Sequence, residues 1–285
     1  MKLLRYGPAG QEKPGLLDAS GTIRDLSSVV GDIDGATISD ARLAELARLD
    51  TATLPAVDVA TRLGSCIGGS RMFLAIGLNY RDHAIEAGQP IPTEPILFMK
   101  ATASLSGPND DVPIAPGSEK LDWEVELGVV IGKDCRHVAQ EVALDHVAGY
   151  CVINDVSERA WQMERGGQWV KGKSHDGYGP AGPWLVTRDE VPDPQNLDMF
   201  LDVNGTRRQT GNTRTMVFGV AEIIAYVSRF MTLRPGDIIA TGTPPGVGLG
   251  MKPPQYLTAG DTMHLGIAGL GEQRQTVVTS RFGAV

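Results

Sequence analysis

Cysteine and long apolar runs are both scarce in this chain. Three cysteines, Cys66, Cys135 and Cys151, occur among 285 residues, and no two of them form a Cys-x-x-Cys pair. An odd and scattered set of this kind argues against a disulfide framework and against a thiolate zinc site. No run approaches the roughly 18 apolar residues of a membrane span, and the first residues lack the apolar core of a signal peptide. We therefore expect a cytoplasmic protein.

Basic residues are in the minority, with 26 Lys and Arg against 34 Asp and Glu, so the formal net charge is −8. This balance argues against nucleic acid or an anionic membrane as the main partner. Two nucleotide-binding patterns are missing as well, because no glycine-rich loop ends in Gly-Lys-Ser/Thr and no Gly-x-Gly-x-x-Gly joins a strand to a helix. A small molecule is the partner that we expect.

Glycine and proline are plentiful, at 35 and 18 residues, beside 42% hydrophobic residues. This composition predicts a globular fold with many turns. Predicted strands, such as 125–131, outnumber predicted helices, such as 219–230, and do not alternate with them, which indicates an α+β fold. We expect a small N-terminal α/β domain over 1–65 and a catalytic domain over 70–285.

The sharpest chemical pattern is an acidic pair on a predicted strand. Glu124 and Glu126 occupy alternate positions and therefore project to the same face. Two bare carboxylates about 4 Å apart would repel by on the order of 4 kcal/mol at an effective dielectric near 20. A solvated face would screen that repulsion, but the apolar flanking residues indicate a buried strand. Together with Asp155, which follows another apolar run, the pair offers three oxygen ligands that favour Mg²⁺, Mn²⁺ or Ca²⁺ over zinc.

A histidine and a carboxylate share one face of a predicted helix. His83 and Glu86 are three residues apart in a helix that Asn79 is expected to cap and that runs to about Ala87. A carboxylate beside an imidazole orients the ring and raises its basicity, which suits a general base acting on water. A surface contact is the alternative, but the pair directly follows a strand end, where functional sites gather.

Two further segments could meet an anionic substrate. Lys173 lies beside several glycines and could contact a substrate anion or an oxyanion, although most lysines are simply solvated. The loop Thr241-Gly-Thr243-Pro-Pro-Gly follows a strand, and its backbone N–H groups and hydroxyls could hold a carboxylate.

Over about 70–280, the chain resembles the fumarylacetoacetate hydrolase family. The motifs that carry the resemblance, in order, are Phe73-Leu-Ala-Ile-Gly-Leu-Asn-Tyr80, His83-Ala-Ile-Glu86, Glu124-Val-Glu126-Leu-Gly, Asn154-Asp155-Val-Ser-Glu-Arg159, Lys173-Ser-His-Asp-Gly and Asp237-Ile-Ile-Ala-Thr-Gly-Thr243-Pro. The resemblance implies an α+β fold built on a mixed β-sheet roll, a homodimer and a divalent cation, Mg²⁺ before Mn²⁺ or Ca²⁺. The implied site residues are the metal ligands Glu124, Glu126 and Asp155, the catalytic residues His83, Glu86 and Lys173, and the substrate-binding residues Tyr80, Arg159, Gln162 and Thr243.

The resemblance also implies a reaction. Family members hydrolyse the C3–C4 bond of short 2,4-dioxo acids and release pyruvate. The N-terminal segment Lys2-Leu-Leu-Arg-Tyr-Gly-Pro resembles a subgroup that cleaves 2,4-dioxo-3-deoxy derivatives of L-rhamnonate or L-fuconate to pyruvate and L-lactate. Three other activities stay open, namely an oxaloacetate or dioxo-acid decarboxylase, an isomerase and a ureidoglycolate lyase. A catalytically inactive, ligand-binding member of the fold is the alternative from another class.

Overall fold

The computed structural model describes residues 1–280, so the last five residues of the predicted catalytic domain lie outside it. This part of the chain forms eighteen strands and five short helices. The strands are β1 Lys2–Tyr6, β2 Lys13–Leu17, β3 Ile23–Asp25, β4 Ala56–Val57, β5 Phe73–Gly77, β6 Ile96–Lys100, β7 Leu105–Ser106, β8 Val112–Ile114, β9 Leu121–Asp122, β10 Val125–Ile131, β11 Val147–Asn154, β12 Ser157–Glu158, β13 Gly179–Thr187, β14 Asp198–Val203, β15 Thr206–Asn212, β16 Ile238–Ala240, β17 Thr262–Ile267 and β18 Gly271–Thr279. The helices are α1 Asp40–Leu46, α2 Arg81–Glu86, α3 Arg159–Met163, α4 Val170–Lys173 and α5 Val220–Val227. The few helices do not alternate with the strands, which confirms the predicted α+β fold.

Eleven strands form one mixed sheet. Ten of them follow the order β4-β3-β2-β1-β13-β11-β10-β16-β5-β6, and β7 pairs with β13. At the centre, all seven residues of β10 are buried between its antiparallel neighbours β11 and β16. A strand covered on both faces is usually a continuous apolar run, and β10 keeps to this pattern except at Glu126. A buried carboxylate at that position indicates a functional site in this part of the sheet.

Five strands form a second sheet in the order β15-β14-β17-β18-β8. Its first two strands are joined by Asn204 and Gly205, which both have positive φ, at 52° and 72°. Positive φ at both central residues is the requirement of a type I′ hairpin turn, and it explains why this dipeptide predicts a hairpin. The predicted hairpin is confirmed.

The helices are too short to dominate the fold. The longest, α5, has eight residues, and its buried face is formed by Val220, Ile223, Ile224 and Val227. It is shorter than the predicted helix over 219–230, but the apolar spacing that indicated it lies in the core as expected. No helix among the described residues combines the length and the apolar character that a membrane span requires.

The first four strands extend the large sheet, because β1 pairs antiparallel with β13. Leu3 and Leu16 from these strands belong to the same buried apolar cluster as Phe73 and Ile153. The N-terminal segment therefore shares a sheet and a core with the rest of the chain. Its status as a separate domain over 1–65 stays a prediction.

Several strand ends meet at one edge of the large sheet. β10 begins where β11 ends, since the two run antiparallel with Val125 opposite Asn154. On the other side of β10, the N–H of Thr241, just beyond β16, donates to the carbonyl oxygen of Leu127 at 3.1 Å. β5 runs parallel to β16 and so ends on the same side, where it leads towards α2. The start of β10, the end of β11, the segment from β5 to α2 and the loop after β16 therefore lie at this edge. These segments contain all the predicted site residues that precede position 156.

Candidate active site

The three predicted metal ligands come together at this edge. Glu124 precedes β10, Glu126 lies within it, and Asp155 follows β11. The antiparallel register places Asp155 beside Glu124, and the N–H of Asp155 donates to the carbonyl oxygen of Glu124 at 2.9 Å. All three side chains are buried, and one carboxylate oxygen from each lies within 4.8 Å of the other two. Two adjacent strands thus assemble one acidic cluster.

Three cationic side chains reach this cluster from later or neighbouring elements. Arg159 on α3 donates through Nη2 to Oε1 of Glu124 at 2.6 Å. Lys173, the last residue of α4, donates through Nζ to Oε2 of Glu124 at 2.5 Å and to Oδ2 of Asp155 at 2.6 Å. Lys100, at the end of β6, contacts the remaining oxygen of Asp155. Buried charges persist only when they are paired, and these contacts supply the pairing.

The two glutamates respond differently to the same burial. Burial raises the pKa of Glu126 well above its usual value, and the negative charges of Asp155 and Glu124 raise it further. Burial also raises the pKa of Glu124, but the charges of Arg159 and Lys173 outweigh that effect and hold it below the usual range. Among the described residues, the carboxylate of Glu126 is hydrogen-bonded only by the N–H of Gly242, at 2.7 Å. Glu126 is therefore the predicted ligand whose charge is least compensated by the protein.

The donor set fits a hard divalent cation. The cluster offers carboxylate oxygens and, among the described residues, neither a thiolate nor an imidazole ligand. Oxygen-only sets of this kind suit Mg²⁺, Mn²⁺ or Ca²⁺, whereas zinc sites commonly use sulfur or nitrogen. The ammonium of Lys173, shared between two of the three carboxylates, shows that the cluster attracts positive charge at the point where they converge.

The predicted His–Glu pair lies on α2 with its side chains in contact. Nδ1 of His83 is 3.4 Å from Oε2 of Glu86. The N–H of Gly246, in the loop after β16, donates to both oxygens of that carboxylate, at 3.1 and 3.0 Å. The pair is therefore held from the loop side as well as by the helix. His83 is only 7% exposed, and its side chain lines the same cavity as the acidic cluster.

The loop after β16 closes another side of the site. The hydroxyl of Thr243 donates to the carbonyl oxygen of Val125 at 2.9 Å and accepts from Nε2 of Gln209 at 2.7 Å. Gln209 in turn accepts from the N–H of Val125 at 3.0 Å. Thr243 is thus fixed to the strand that carries the glutamates, which positions the loop over the cluster.

A cavity of about 200 Å³ lies between these groups. Acidic and basic groups of the cluster form one part of its lining together with His83, Gln162 and Thr243. Most of the remaining lining is apolar: Ile76, Leu78, Ala87, Phe98, Met163, Trp169 and Leu249. The rings of Phe98 and Trp169 meet edge to face with centroids 5.2 Å apart. Among the described residues, the cations on the lining are Arg159 and Lys173, and both are paired with carboxylates, so this part of the chain gives the apolar wall no free positive charge.

Eight of the ten predicted site residues line this cavity, and Glu86 and Tyr80 do not. Glu86 lies against His83 as its predicted role requires. Tyr80 is fully buried, and its hydroxyl donates to Sδ of Met199 at 3.2 Å, so its position offers no support for substrate binding. The prediction that Asn79 caps α2 is wrong, because Tyr80 occupies the N-cap and the Asn79 side chain exchanges hydrogen bonds with the backbone of Phe218.

Two buried charged residues of the site, Lys100 and Asp122, were not predicted from the sequence. Lys100 ends an apolar strand, and nothing in its immediate sequence indicates a partner 55 residues later. Asp122 binds Nε of Arg159 at 2.8 Å and accepts from the N–H groups of Gly248 and Leu249 at 2.7 and 3.0 Å. A signal for Asp122 did exist, since it continues the alternation of Glu124 and Glu126 by one step towards the N-terminus.

Comparison with known proteins gives a consistent picture. Residues 72–278 match the family described as fumarylacetoacetate (FAA) hydrolase C-terminal. A protein of Burkholderia multivorans, named as a hydrolase without a substrate, is 64% identical over 282 residues, which cover 99% of this chain and 100% of that one.

Solved structures of similar proteins include both hydrolases and isomerases. Maleylpyruvate hydrolase from Sphingobium sp. SYK-6, in complex with manganese(II) ion and pyruvate, is 31% identical with a TM-score of 0.81, over 99% of this chain and 100% of that one. The 5-carboxymethyl-2-hydroxymuconate delta-isomerase from Mycobacterium smegmatis is 28% identical with a TM-score of 0.76, over 99% and 100%.

Proposed function

The chain belongs to the fumarylacetoacetate hydrolase family, and we propose that it is a divalent-cation-dependent hydrolase that cleaves a carbon–carbon bond of a 2,4-dioxo acid. The observation that carries the proposal is the position of a buried carboxylate cluster on one small cavity with His83, which is in contact with Glu86 behind it. Hydrolysis of such a bond requires a base for water and positive charge for the departing enolate. On this lining, His83 would supply the base and Lys173 a positive charge.

Glu124, Glu126 and Asp155 would hold the cation, for which Mg²⁺ is the first choice and Mn²⁺ or Ca²⁺ the alternatives. When bound, the cation supplies Lewis-acid stabilisation of negative charge on the 2-oxo acid. Lys173 lies on the cavity lining beside two of these carboxylates, and its ammonium can contact the same end of the substrate. Arg159 and Gln162, which are hydrogen-bonded to each other at 3.0 Å, would orient the substrate beside it.

His83 is the proposed general base. Because Glu86 faces Nδ1, it favours the tautomer with the proton on that nitrogen, and Nε2 is then left to accept a proton from water. The N–H of Gly246 keeps the carboxylate in this orientation. Glu86 is therefore a positioning residue in this proposal, although it does not itself line the cavity.

In the proposed reaction, the oxygen of a water molecule bonds to carbon 4 of the substrate while His83 takes one of its protons. The bond between carbons 3 and 4 then breaks, and its electron pair stays on carbon 3 as the enolate of pyruvate. The imidazolium of His83 returns the proton to carbon 3. The products are pyruvate and the acid derived from carbon 4, so one water is consumed and no oxidant or second substrate is needed.

We propose 2,4-didehydro-3-deoxy-L-rhamnonate, or its L-fuconate analogue, as the substrate and pyruvate and L-lactate as the products. Beyond carbon 4 this substrate carries a short, uncharged tail with one methyl and one hydroxyl group. The apolar wall of the cavity, to which the described residues bring no unpaired cation, suits such a tail better than a second carboxylate, which would be desolvated there without a partner. The shortness of the tail is also consistent with the limited volume of the cavity.

The test is a product analysis on the purified protein with Mn²⁺ and the 2,4-dioxo-3-deoxy-L-rhamnonate. We expect equal amounts of pyruvate and L-lactate, and in ¹⁸O-labelled water we expect one label in the lactate carboxylate. Oxaloacetate serves as the comparison substrate. Release of CO₂, or an isomer with all carbons retained, would replace hydrolysis by decarboxylation or isomerisation.

We further propose that the enzyme is a cytoplasmic homodimer. Large apolar side chains on three elements that flank the cavity are exposed, Ile85 on α2, Met99 on β6 and Met163 on α3, and burial against a second copy would remove them from water. Light scattering during gel filtration should give about twice the 30.4 kDa chain mass. A mass of one chain at micromolar concentration would contradict the dimer.

A further inference from the structure

Lys100 is a buried cation of the site that the proposed mechanism does not use. It ends β6, is 1% exposed, and does not line the cavity. Its ammonium contacts Oδ1 of Asp155, lies 3.4 Å from the carbonyl oxygen of Val156 and stands 5.7 Å above the ring of Phe73. A desolvated ammonium is costly unless its partners are well placed, so this contact requires an explanation.

The two oxygens of Asp155 are divided between two lysines. Oδ1 meets Lys100, which does not line the cavity, and Oδ2 meets Lys173, which lines the cavity and also binds Glu124. Lys173 thus competes for the oxygens that a cation would use. Among the described residues, Lys100 makes no hydrogen bond to Glu124 or Glu126, so Asp155 is the one carboxylate of the cluster that it holds by direct contact.

We propose that Lys100 is a positioning residue, which anchors one oxygen of Asp155 so that the other stays turned towards Glu124 and Glu126. This inference rests on the proposed cation site. It separates the two lysines by role: Lys173 shares the ligand oxygens with the cation, whereas Lys100 keeps its contact whether or not the cation is bound. Contacts behind the ligands fix ligand orientation at metal sites in general.

The two roles predict opposite effects on cation affinity. Coulomb repulsion alone requires that removing either lysine tightens the binding of a divalent cation. Loss of a positioning contact has the reverse effect, because it leaves Asp155 free to rotate away. For Lys100→Met we therefore expect a Kd for Mn²⁺ that is about 10- to 100-fold weaker, whereas Lys173→Met binds at least as tightly as the unchanged protein.

The experiment is a titration of the full-length protein with Mn²⁺ alone, followed by the electron paramagnetic resonance signal of free Mn²⁺. Lys171→Met is the matched control, because Lys171 lies two residues from Lys173 but is exposed and binds only the carbonyl oxygen of Arg165 among the described residues. Its Kd should stay within about twofold, since an exposed charge is screened by salt. Thermal unfolding of each metal-free variant checks that it is folded.

Lys100→Gln keeps an N–H donor without the charge. If Lys100→Met does not fold, this second variant tests the positioning role of Lys100. The positioning role predicts a weaker Kd for Lys100→Gln than for the unchanged protein, but a tighter one than for Lys100→Met where both fold. A Kd equal to or tighter than that of the unchanged protein in either variant would overturn the positioning role and leave a purely structural ion pair. If the unchanged protein bound no Mn²⁺, the proposed cation site itself would be wrong, and this inference would fall with it.

Discussion

Glu124 and Glu126 lie two residues apart on one strand, yet their pKa values shift in opposite directions. Burial acts on both in the same sense, so the difference comes from neighbours. Arg159 and Lys173 reach Glu124 from α3 and α4, whereas Glu126 receives a backbone N–H and faces two other carboxylates. At the residue scale, the low pKa of Glu124 is thus set by Arg159 and Lys173, which lie 35 and 49 residues away in sequence.

Substitution of His83 tests the assignment of the base. His83→Ala should lower kcat by about 100- to 10,000-fold, since it removes general-base catalysis. The Kd for Mn²⁺ should change little, because the imidazole makes no hydrogen bond to the three carboxylates. Steady-state kinetics and the same Mn²⁺ titration measure both quantities.

His264 offers a matched control, because it lies on β17 outside the cavity and binds Glu272 at 2.7 Å. His264→Ala should leave kcat within about a factor of two, as expected of a surface ion pair. Retention of full activity in His83→Ala would assign the proton transfer to another group.

At the element scale, the fit of α4 against β5 depends on one small residue. A Cβ on Gly77, the last residue of β5, would lie 2.3 Å from Cζ3 and 2.7 Å from Cη2 of Trp169. Trp169 lies at the N-terminal end of the helix that carries Lys173, and its ring forms part of the cavity wall with Phe98. Gly77 therefore permits the close approach that places this wall beside the acidic cluster.

Gly77→Ala should displace the indole of Trp169 and distort the wall. We expect the free energy of unfolding to fall by about 1–3 kcal/mol, as for other overpacked positions, and KM to rise. Urea unfolding and steady-state kinetics measure the two effects. Gly31→Ala is the control, since a Cβ there would meet no atom within 4 Å. In the double variant with Trp169→Leu the loss of stability should be less than additive, and strict additivity would contradict the contact.

The sequence predicts individual elements well, because each of them depends on neighbouring residues. The continuous apolar run of β10, the Asn204-Gly205 turn and the apolar stripe of α5 each depend on neighbours within a few residues. The three carboxylates predicted as metal ligands followed from strand alternation and from apolar context, and the structure brings them together.

What the sequence could not predict depends on contacts between distant segments. Lys100 and Asp155 are 55 residues apart, and no pattern in either segment specifies their contact. Asn79 has the residue type of a helix cap, but its side chain bonds the backbone at Phe218, so tertiary contacts outweighed the local preference. The division into domains at 65–70 likewise followed a change in local pattern, whereas β1 pairs with a strand that begins at Gly179.

At the scale of the whole molecule, the acidic cluster couples cation binding to stability. Three carboxylates are buried in the larger sheet of a chain whose net charge is already −8. Because the pKa of Glu126 is raised, its ionised form opposes folding, and this cost grows as the pH rises through the raised pKa. A bound divalent cation would offset that cost only in the folded state, since the unfolded chain does not assemble the cluster.

Mn²⁺ should therefore raise the unfolding temperature of this protein. At a free concentration of 100 times Kd the expected gain is about 2.7 kcal/mol, which corresponds to roughly 5 °C or more for a chain of this size. Glu126→Gln should have the opposite pattern, with a higher unfolding temperature than the unchanged protein in excess chelator and no rise on adding Mn²⁺. Calorimetry at one pH with and without chelator measures all four values. If Mn²⁺ stabilised Glu126→Gln as much as the unchanged protein, the cation would be bound elsewhere. The unfolding temperatures of the two proteins in excess chelator independently show whether the charge of Glu126 opposes folding.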